Sequence, residues 1–212
     1  MNVPVILALG AIIVFAVVMG VVMSREKDPQ RRAAALTRTG AAVMAAFTVL
    51  GGIFIGGFAM QEPGGTAGTL ITLAWVVPML ILGVSAWFWP AATAPLLLAL
   101  ASAFIAACVW LAFDPAALST FLSDNGPVIA VSVLALAFPA AILGLKLTAL
   151  AGWLLVALGV LPLLITVIGR SGAVGSLIAA SLVPLVCGIA YLLSARMAGA
   201  SSTSGTIHPA AA

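Results

Sequence analysis

Charged side chains are scarce in this sequence: they make up 6% of its 212 residues, against 64% apolar residues. A soluble domain usually carries about a quarter charged residues. With a mean hydropathy of +1.32, the chain has too few polar groups to cover a surface in water. The composition excludes a water-soluble globular protein and predicts an all-α integral membrane protein that crosses the bilayer several times.

Histidine and cysteine are rarer still, which removes several chemistries. The one histidine is His208 near the C-terminus, and the two cysteines, Cys108 and Cys187, have no metal-binding or redox spacing. No Asp, Glu, His or Arg falls at mid-depth in a predicted span, although such groups mark proton paths and catalytic sites in membranes. The sequence thus predicts no enzyme, no cofactor and no catalytic or metal-binding residue, and argues against haem ligation, serine–histidine hydrolysis and proton-driven transport.

Long uncharged stretches are what the sequence does contain. A span needs about 20 apolar residues, and the charges leave room for one helix in each stretch except 63–113, which is long enough for two. Trp89-Pro90 and the following residues up to Pro95 break that stretch near its middle. We predict one transmembrane domain over 1–196 and a disordered cytoplasmic tail over 197–212, the domain having seven helices near 3–23, 40–60, 68–89, 95–113, 127–144, 148–169 and 173–194.

Basic residues set the predicted orientation, because cytoplasmic loops hold the excess of Lys and Arg. The loop 24–39 carries five of the eight basic residues, which places it inside and the N-terminus outside. Seven spans then put Lys146 and Arg196 inside, the C-terminus in the cytoplasm, and only Arg170 outside. Membrane topology explains the net charge of +3, so no nucleic-acid partner is implied. We expect a bacterial-type plasma membrane protein.

Aromatic residues support the same arrangement, since Trp and Tyr favour the membrane interfaces. Only Trp75 falls noticeably deeper, where it would pack between helices or line a cavity. The others lie near predicted helix ends, inside for Trp87, Phe88, Trp89, Trp153 and Tyr191, and outside for Trp110 and Phe113.

Two Asp-Pro pairs predict helix starts, because Asp is a good N-cap and proline suits the first helical position. Asp28-Pro29 indicates that the second helix can begin in the cytoplasm and carry a basic face into the membrane. That face is either a topological anchor or a contact for anionic lipid or a partner protein. Asp114-Pro115 predicts a short helix in the outer loop, ending near Asp124.

Lys146 interrupts a long uncharged region and allows two interpretations. If residues 144–148 form a tight inside turn, Lys146 lies among the headgroups. If the turn dips into the bilayer, Lys146 is a buried cation that needs an anionic partner.

Small residues recur at helical spacing in three predicted spans, which favours close helix packing or the docking of another membrane subunit. Gly52 and Gly56 form a GxxxG pair in the second helix. The stripes comprise Ala41, Ala45, Thr48, Gly52, Gly56 and Ala59; Ala99, Ala103 and Ala107; and Gly172, Ser176, Ala179, Ala180, Cys187, Gly188 and Tyr191.

Two functional hypotheses follow. The first is a non-catalytic accessory or scaffold subunit, whose partners are the bilayer and another membrane subunit or a second copy. The second is a facilitator or substrate-binding subunit for a small uncharged or lipidic solute, because broken helices hold such sites in transporters. It rests on in-helix prolines and scattered hydroxyls, namely Pro78, Pro139, Pro162, Pro184, Thr72, Ser85, Ser132 and Thr166.

Overall fold

A computed structural model describes residues 26–59, 64–125, 128–169 and 174–203, together with 10, 13, 16–21, 24 and 61. The regular elements in these ranges are helices, and no strand occurs among them, which confirms the all-α prediction. Most of the predicted helix 3–23 lies outside the described residues. The helices are α1 (Pro29–Ala59), α2 (Gly65–Phe88), α3 (Pro90–Ala112), α4 (Pro115–Asn125), α5 (Val128–Leu143), α6 (Thr148–Gly169) and α7 (Val174–Thr203).

Five of these helices are long and apolar enough to cross a membrane, namely α1, α2, α3, α6 and α7. The protein is therefore integral to a membrane. Apolar side chains cover the outside of the bundle as well as its core, with exposed examples including Leu70, Ile81 and Leu164. A helix that is apolar on all sides is stable only where lipid or protein surrounds it.

Both Asp-Pro pairs begin helices as predicted. Asp28 Oδ1 accepts the backbone N–H of Gln30 at 3.0 Å, so α1 starts at Pro29, well before the predicted residue 40. Asp114 Oδ1 accepts the N–H groups of Ala116 and Ala117, each at 3.1 Å, and starts α4. These carboxylates satisfy donors that the first turn of a helix leaves without partners.

The break between α2 and α3 is shorter than predicted. α3 begins at Pro90 instead of residue 95, and only Trp89 separates the two helices. The Trp89 N–H donates to Ser85 O at 2.7 Å, and the Trp89 carbonyl accepts the Thr93 N–H at 3.0 Å. Proline at the first helical position has no N–H to leave unpaired, so the new helix can start at once.

The short helix α5 occupies the centre of the bundle. It has 16 residues, about 24 Å at 1.5 Å per residue, so it is shorter than a typical span. It contacts α1, α2, α3, α6 and α7, and Val133, Ala137 and Leu143 are fully buried. Protein instead of lipid surrounds much of α5, which lessens the cost of a short hydrophobic length.

The closest helix packing is between α6 and α7, and glycines make it possible. A Cβ at Gly159 would lie 2.7 Å from the Leu185 backbone nitrogen, and a Cβ at Gly188 would lie 2.8 Å from the Val156 nitrogen. Such distances leave room only for hydrogen at these positions. Small residues thus bring the two backbones together, as expected for helices that lack a hydrophobic drive to associate in lipid.

α1 and α7 are the longest of the helices named above. α1 has 31 residues and α7 has 30, each about 45 Å in length. The prediction of a disordered tail from residue 197 is wrong for 197–203, because α7 continues to Thr203. The sequence after Arg196 contains no proline before Pro209 that would end the helix. Residues 204–212, including His208, lie outside the described residues.

The described basic residues gather at one end of the bundle, hereafter the basic end: Lys27, Arg31, Arg32, Arg38, Lys146 and Arg196. α1 starts there, the α2–α3 corner and the α5–α6 turn lie there, and α7 ends there. Arg38, Trp87, Lys146 and Ser194 line one common cavity, which shows that these elements meet. Asp114 and α4 lie at the start of α5, at the opposite end. Glu62 and Arg170 are outside the described residues.

Candidate cationic pocket at the basic end

A cavity of about 720 Å³ opens at the basic end. Its walls come from α1, the C-terminal end of α2, the α5–α6 turn, the start of α6 and the last turns of α7. The lining residues are Gln30, Ala33, Ala34, Thr37, Arg38, Trp87, Leu145, Lys146, Thr148, Ser194 and Ala198.

Unequal helix lengths create this cavity. α1 and α7 both continue beyond the level at which α2 ends and α5 turns into α6. Ala34 and Ala198, on the protruding turns, are exposed and contribute little side-chain volume. α1 and α7 therefore form one wall of the cavity, and the α5–α6 turn with Lys146 borders the cavity at the foot of that wall.

A buried polar cluster closes the wall between α1 and α7. Thr37 Oγ1 lies 2.8 Å from Ser194 Oγ, and both hydroxyls approach the Ala33 carbonyl, at 3.0 Å and 2.7 Å. Both side chains are nearly inaccessible, at 7% and 3% exposure. Each hydroxyl thus has its hydrogen-bond partners within the protein, so this cluster holds α1 against α7. The cationic side chains at the rim of the cavity are not part of it.

The turn that carries Lys146 is tight, as one interpretation of the sequence predicts. Leu145 N–H donates to Ile142 O at 3.1 Å, and Leu147 N–H donates to Leu143 O at 2.8 Å. Lys146 is exposed at the surface of the bundle and is not buried among its helices. Its Nζ lies 5.6 Å from the centroid of the half-exposed Trp87 ring, within cation–π range.

Positive charge is uncompensated within the pocket. Arg38 and Lys146 are its two charged lining residues, and none of the lining residues is acidic. Among the described side chains, the ion pair at this end joins Asp28 to Arg31, at 3.8 Å, on the first turn of α1. Arg38 and Lys146 thus face the cavity without a carboxylate partner from the described part of the chain.

Tyr191 packs against the α5–α6 turn that carries Lys146. Its place near the end of the predicted helix favours an interfacial position, and in the structure its side chain is fully buried among the helices. Its hydroxyl donates to Ala141 O at 2.8 Å, a carbonyl that the tightened end of α5 leaves without its usual helical donor. The ring fits against Gly40 and Gly144, where a larger residue would overlap it.

The stripes of small residues have different surroundings. Gly52 packs against the Trp75 ring, and Gly56 against the Thr72 methyl group, so the GxxxG pair serves the contact of α1 with α2. Trp75 packs between helices, with its Nε1 donating to Val131 O at 3.0 Å. By contrast, the stripe on α3 is exposed at Ala99, Ala103 and Ala107.

The donors at the rim of the pocket are suited to binding an anion. Arg38, Lys146 and Gln30 carry the donors at its rim, whereas no grouping of three or more His, Cys, Asp or Glu side chains occurs in the described ranges. The sequence draws attention to Arg38 and Lys146 separately. It does not reveal Gln30, Thr37 and Ser194 as their neighbours, because nothing in the local sequence shows that α1 and α7 meet.

Comparison of the chain with protein-family models, with curated proteins and with solved structures finds no match.

Proposed function

We propose that the protein is a non-catalytic membrane component, an accessory or scaffold subunit that acts by packing against another membrane subunit. The observation that carries this proposal is the exposed face of α3. Ala99, Ala103 and Ala107 follow one another at four-residue spacing and are all exposed. Small residues at this spacing let a second helix approach closely, which is the main source of helix association in lipid.

The other stripes make the α3 face distinctive. Gly52 and Gly188, which belong to the other two stripes, are in contact with Trp75 and Val156 of the same chain. The α3 stripe lies on the side of its helix opposite the buried Leu97, Ala101 and Cys108. A partner helix would therefore find on α3 the kind of surface that α6 and α7 present to each other.

Purification from native membranes in mild detergent, followed by mass spectrometry and native mass determination, tests this proposal. We expect a stoichiometric membrane partner with the unaltered protein. The paired variant Ala99→Ile and Ala103→Ile should lose the partner, because branched side chains would hold the helices apart.

A matched control changes two exposed alanines on other helices, Ala74→Ile on α2 and Ala157→Ile on α6. This control should keep the partner. Recovery of the unaltered protein alone or only with copies of itself would contradict the accessory role, as would equal loss of the partner in both paired variants.

A facilitator for a small uncharged or lipidic solute is the second candidate, favoured by the prolines inside α2, α5, α6 and α7. In-helix prolines free backbone carbonyls that can face a solute. The cavity described above lies at the basic end instead of beside Pro78 and Pro162, which weighs toward the accessory role. Solute flux into vesicles that contain the purified protein would instead support the facilitator, if larger side chains introduced into the pocket abolish that flux.

The orientation belongs to the same proposal. We place the basic end in the cytoplasm of a bacterial-type plasma membrane, with seven spans and the N-terminus outside. The support is the grouping of Arg31, Arg32, Arg38, Lys146 and Arg196 at one end, because cytoplasmic segments hold the excess of basic residues.

A further inference from the structure

The pocket at the basic end combines features that the accessory role does not require. Two cationic side chains from distant parts of the sequence, Arg38 and Lys146, border one cavity, and none of the described residues that line it is acidic. A surface anchor needs only basic residues that face water. Convergence of two cations on a cavity, by contrast, concentrates positive potential at one place.

The level of the pocket indicates where its ligand resides. The neighbouring aromatics Phe88, Trp89 and Trp153 are each about two-thirds exposed, at 66%, 65% and 65%. Exposed Trp residues near helix ends mark the headgroup region of a bilayer. The pocket therefore opens among headgroups, where the abundant anionic group is phosphate.

The donors fit a phosphate group. The planar guanidinium of Arg38 can present two parallel N–H donors to phosphate oxygens, and the ammonium of Lys146 acts as a point charge. Trp87 lies against Lys146 and limits where its ammonium can go. Gln30 adds an amide at the rim.

We propose that the cavity bordered by Arg38 and Lys146 is a binding site for a phosphate-bearing anion, as presented by the headgroup of an anionic phospholipid. Basic pockets between membrane helices on the cytoplasmic side suit such headgroups. The volume of about 720 Å³ admits a phosphate with its glycerol substituent. The inference is independent of whether α3 docks a partner, because no α3 residue lines the cavity.

Native mass spectrometry of the full chain tests the site, with phosphatidylglycerol as the probe and phosphatidylcholine as the zwitterionic comparison. We expect the unaltered protein to retain phosphatidylglycerol preferentially. Arg38→Gln and Lys146→Gln should each lower retention about fivefold, and the double variant should lower it roughly 25-fold, because each change removes one charge-assisted contact to the phosphate.

Arg196→Gln is the matched control. It removes one exposed positive charge from the same end of the bundle, but Arg196 does not line the cavity. Retention by this variant should stay close to that of the unaltered protein. Equal losses in Arg196→Gln and Arg38→Gln would overturn the site, since they would show a general effect of charge.

A soluble ligand is distinguished by competition. Excess inorganic phosphate or glycerol phosphate that displaces phosphatidylglycerol from the unaltered protein would assign the site to a soluble phosphate compound. Retention of the lipid under that excess would assign it to a membrane lipid. Either result supports a phosphate site, whereas equal retention of phosphatidylglycerol and phosphatidylcholine would contradict it.

Thermal unfolding distinguishes a loss of lipid binding from misfolding of a variant. Phosphatidylglycerol should raise the unfolding midpoint of the unaltered protein and of Arg196→Gln, because a ligand that binds only the folded state stabilises it. The Arg38→Gln, Lys146→Gln double variant should show no such rise, whatever its own midpoint. A full rise in the double variant would count against the site.

Discussion

Tyr191 shows how single residues hold the basic end together. Its hydroxyl satisfies the Ala141 carbonyl at the end of α5, and its ring fits between Gly40 on α1 and Gly144 in the α5–α6 turn. A Cβ at Gly40 would lie 2.7 Å from the ring, and a Cβ at Gly144 would overlap it. One side chain on α7 thereby positions both α1 and the turn that carries Lys146.

Replacement of Gly144 by alanine tests this packing. Because the added methyl group overlaps a fully buried ring, Gly144→Ala should lower the free energy of unfolding by about 1–3 kcal/mol. Gly57→Ala is the control, since a Cβ there meets nothing within 4 Å and alanine favours the helix. Unfolding in detergent measures both variants, and equal stability of Gly144→Ala and the unaltered protein would contradict the described packing.

Single residues are the hardest features to predict from the sequence. Tyr191 lies near the end of the predicted helix 173–194, where the sequence alone favours an interfacial role. Its burial depends on Gly40 and Gly144, which are about 150 and 50 positions away in the chain and reach it only through the fold. Of the two predictions for Trp75, packing between helices is confirmed, because its Nε1 donates to the Val131 carbonyl of another helix.

At the scale of helices, the contact of α6 with α7 is the tightest in the bundle. A Cβ at Gly188 would lie 2.8 Å from the Val156 backbone nitrogen and 2.9 Å from the Gly152 carbonyl oxygen. Backbone atoms cannot rotate away as a side chain can. The contact therefore depends on glycine more strongly than the contact of Gly56 with the Thr72 methyl group.

Gly188→Ala should destabilise the protein by about 1–3 kcal/mol, because the two helices must move apart to accept the methyl group. Gly56→Ala, the matched change in the GxxxG pair, should be tolerated, since its Cβ would lie 3.7 Å from the Thr72 methyl group at an ordinary contact distance. Unfolding in detergent compares them. A larger loss for Gly56→Ala would show that the GxxxG pair, and not Gly188, carries the critical close approach.

The α1–α7 wall allows a test of coupling between helices. Thr37→Ala and Ser194→Ala should each cost about 0.5–1.5 kcal/mol of stability, the usual range for a hydrogen bond between membrane helices. Because the two hydroxyls contact each other at 2.8 Å, each single variant already loses that shared contact, so the double variant should cost less than the two single variants added together. Additive costs in a double-mutant cycle would show that the hydroxyls act independently.

Helix starts are predictable from local sequence, but helix ends less so. Asp28-Pro29 and Asp114-Pro115 contain both the cap and the first turn within two residues, so no distant contact is needed. The sequence predicts the start of α3 at residue 95 because Pro90 and Pro95 together resemble a longer break. One residue, Trp89, suffices for the corner, since it caps the end of α2 and accepts the first bonds of α3.

At the scale of the whole molecule, the described charges lie at the two ends of the bundle, and the described basic residues all lie at one of them. The basic residues of α1, the α5–α6 turn and α7 lie at one end, and Asp114 with α4 lies at the other. This distribution is readable from the order of uncharged stretches, because charges avoid the hydrocarbon core. The pocket is not readable in that way, because it depends on how far α1 and α7 protrude beyond their neighbours.

Matched cysteine variants test the proposed orientation. Gln30 and Ala116 are both exposed, and each is the second residue of a helix that an Asp-Pro pair begins. Under the proposed topology, Ala116→Cys should react with a membrane-impermeant thiol reagent in intact cells, and Gln30→Cys only after permeabilisation. Cys108 and Cys187 are buried and should not react, so the unaltered protein is the blank.

The opposite labelling pattern would reverse the orientation and place the cationic pocket on the outer surface. The pocket would then meet the headgroups of the outer leaflet, and the excess of basic residues would break the usual rule for cytoplasmic segments. Labelling of both variants in intact cells would mean that α1 and α4 begin on the same side, which requires a different number of spans between them. The two exposed positions thus test the arrangement of α1, α2 and α3 without disturbing any basic residue.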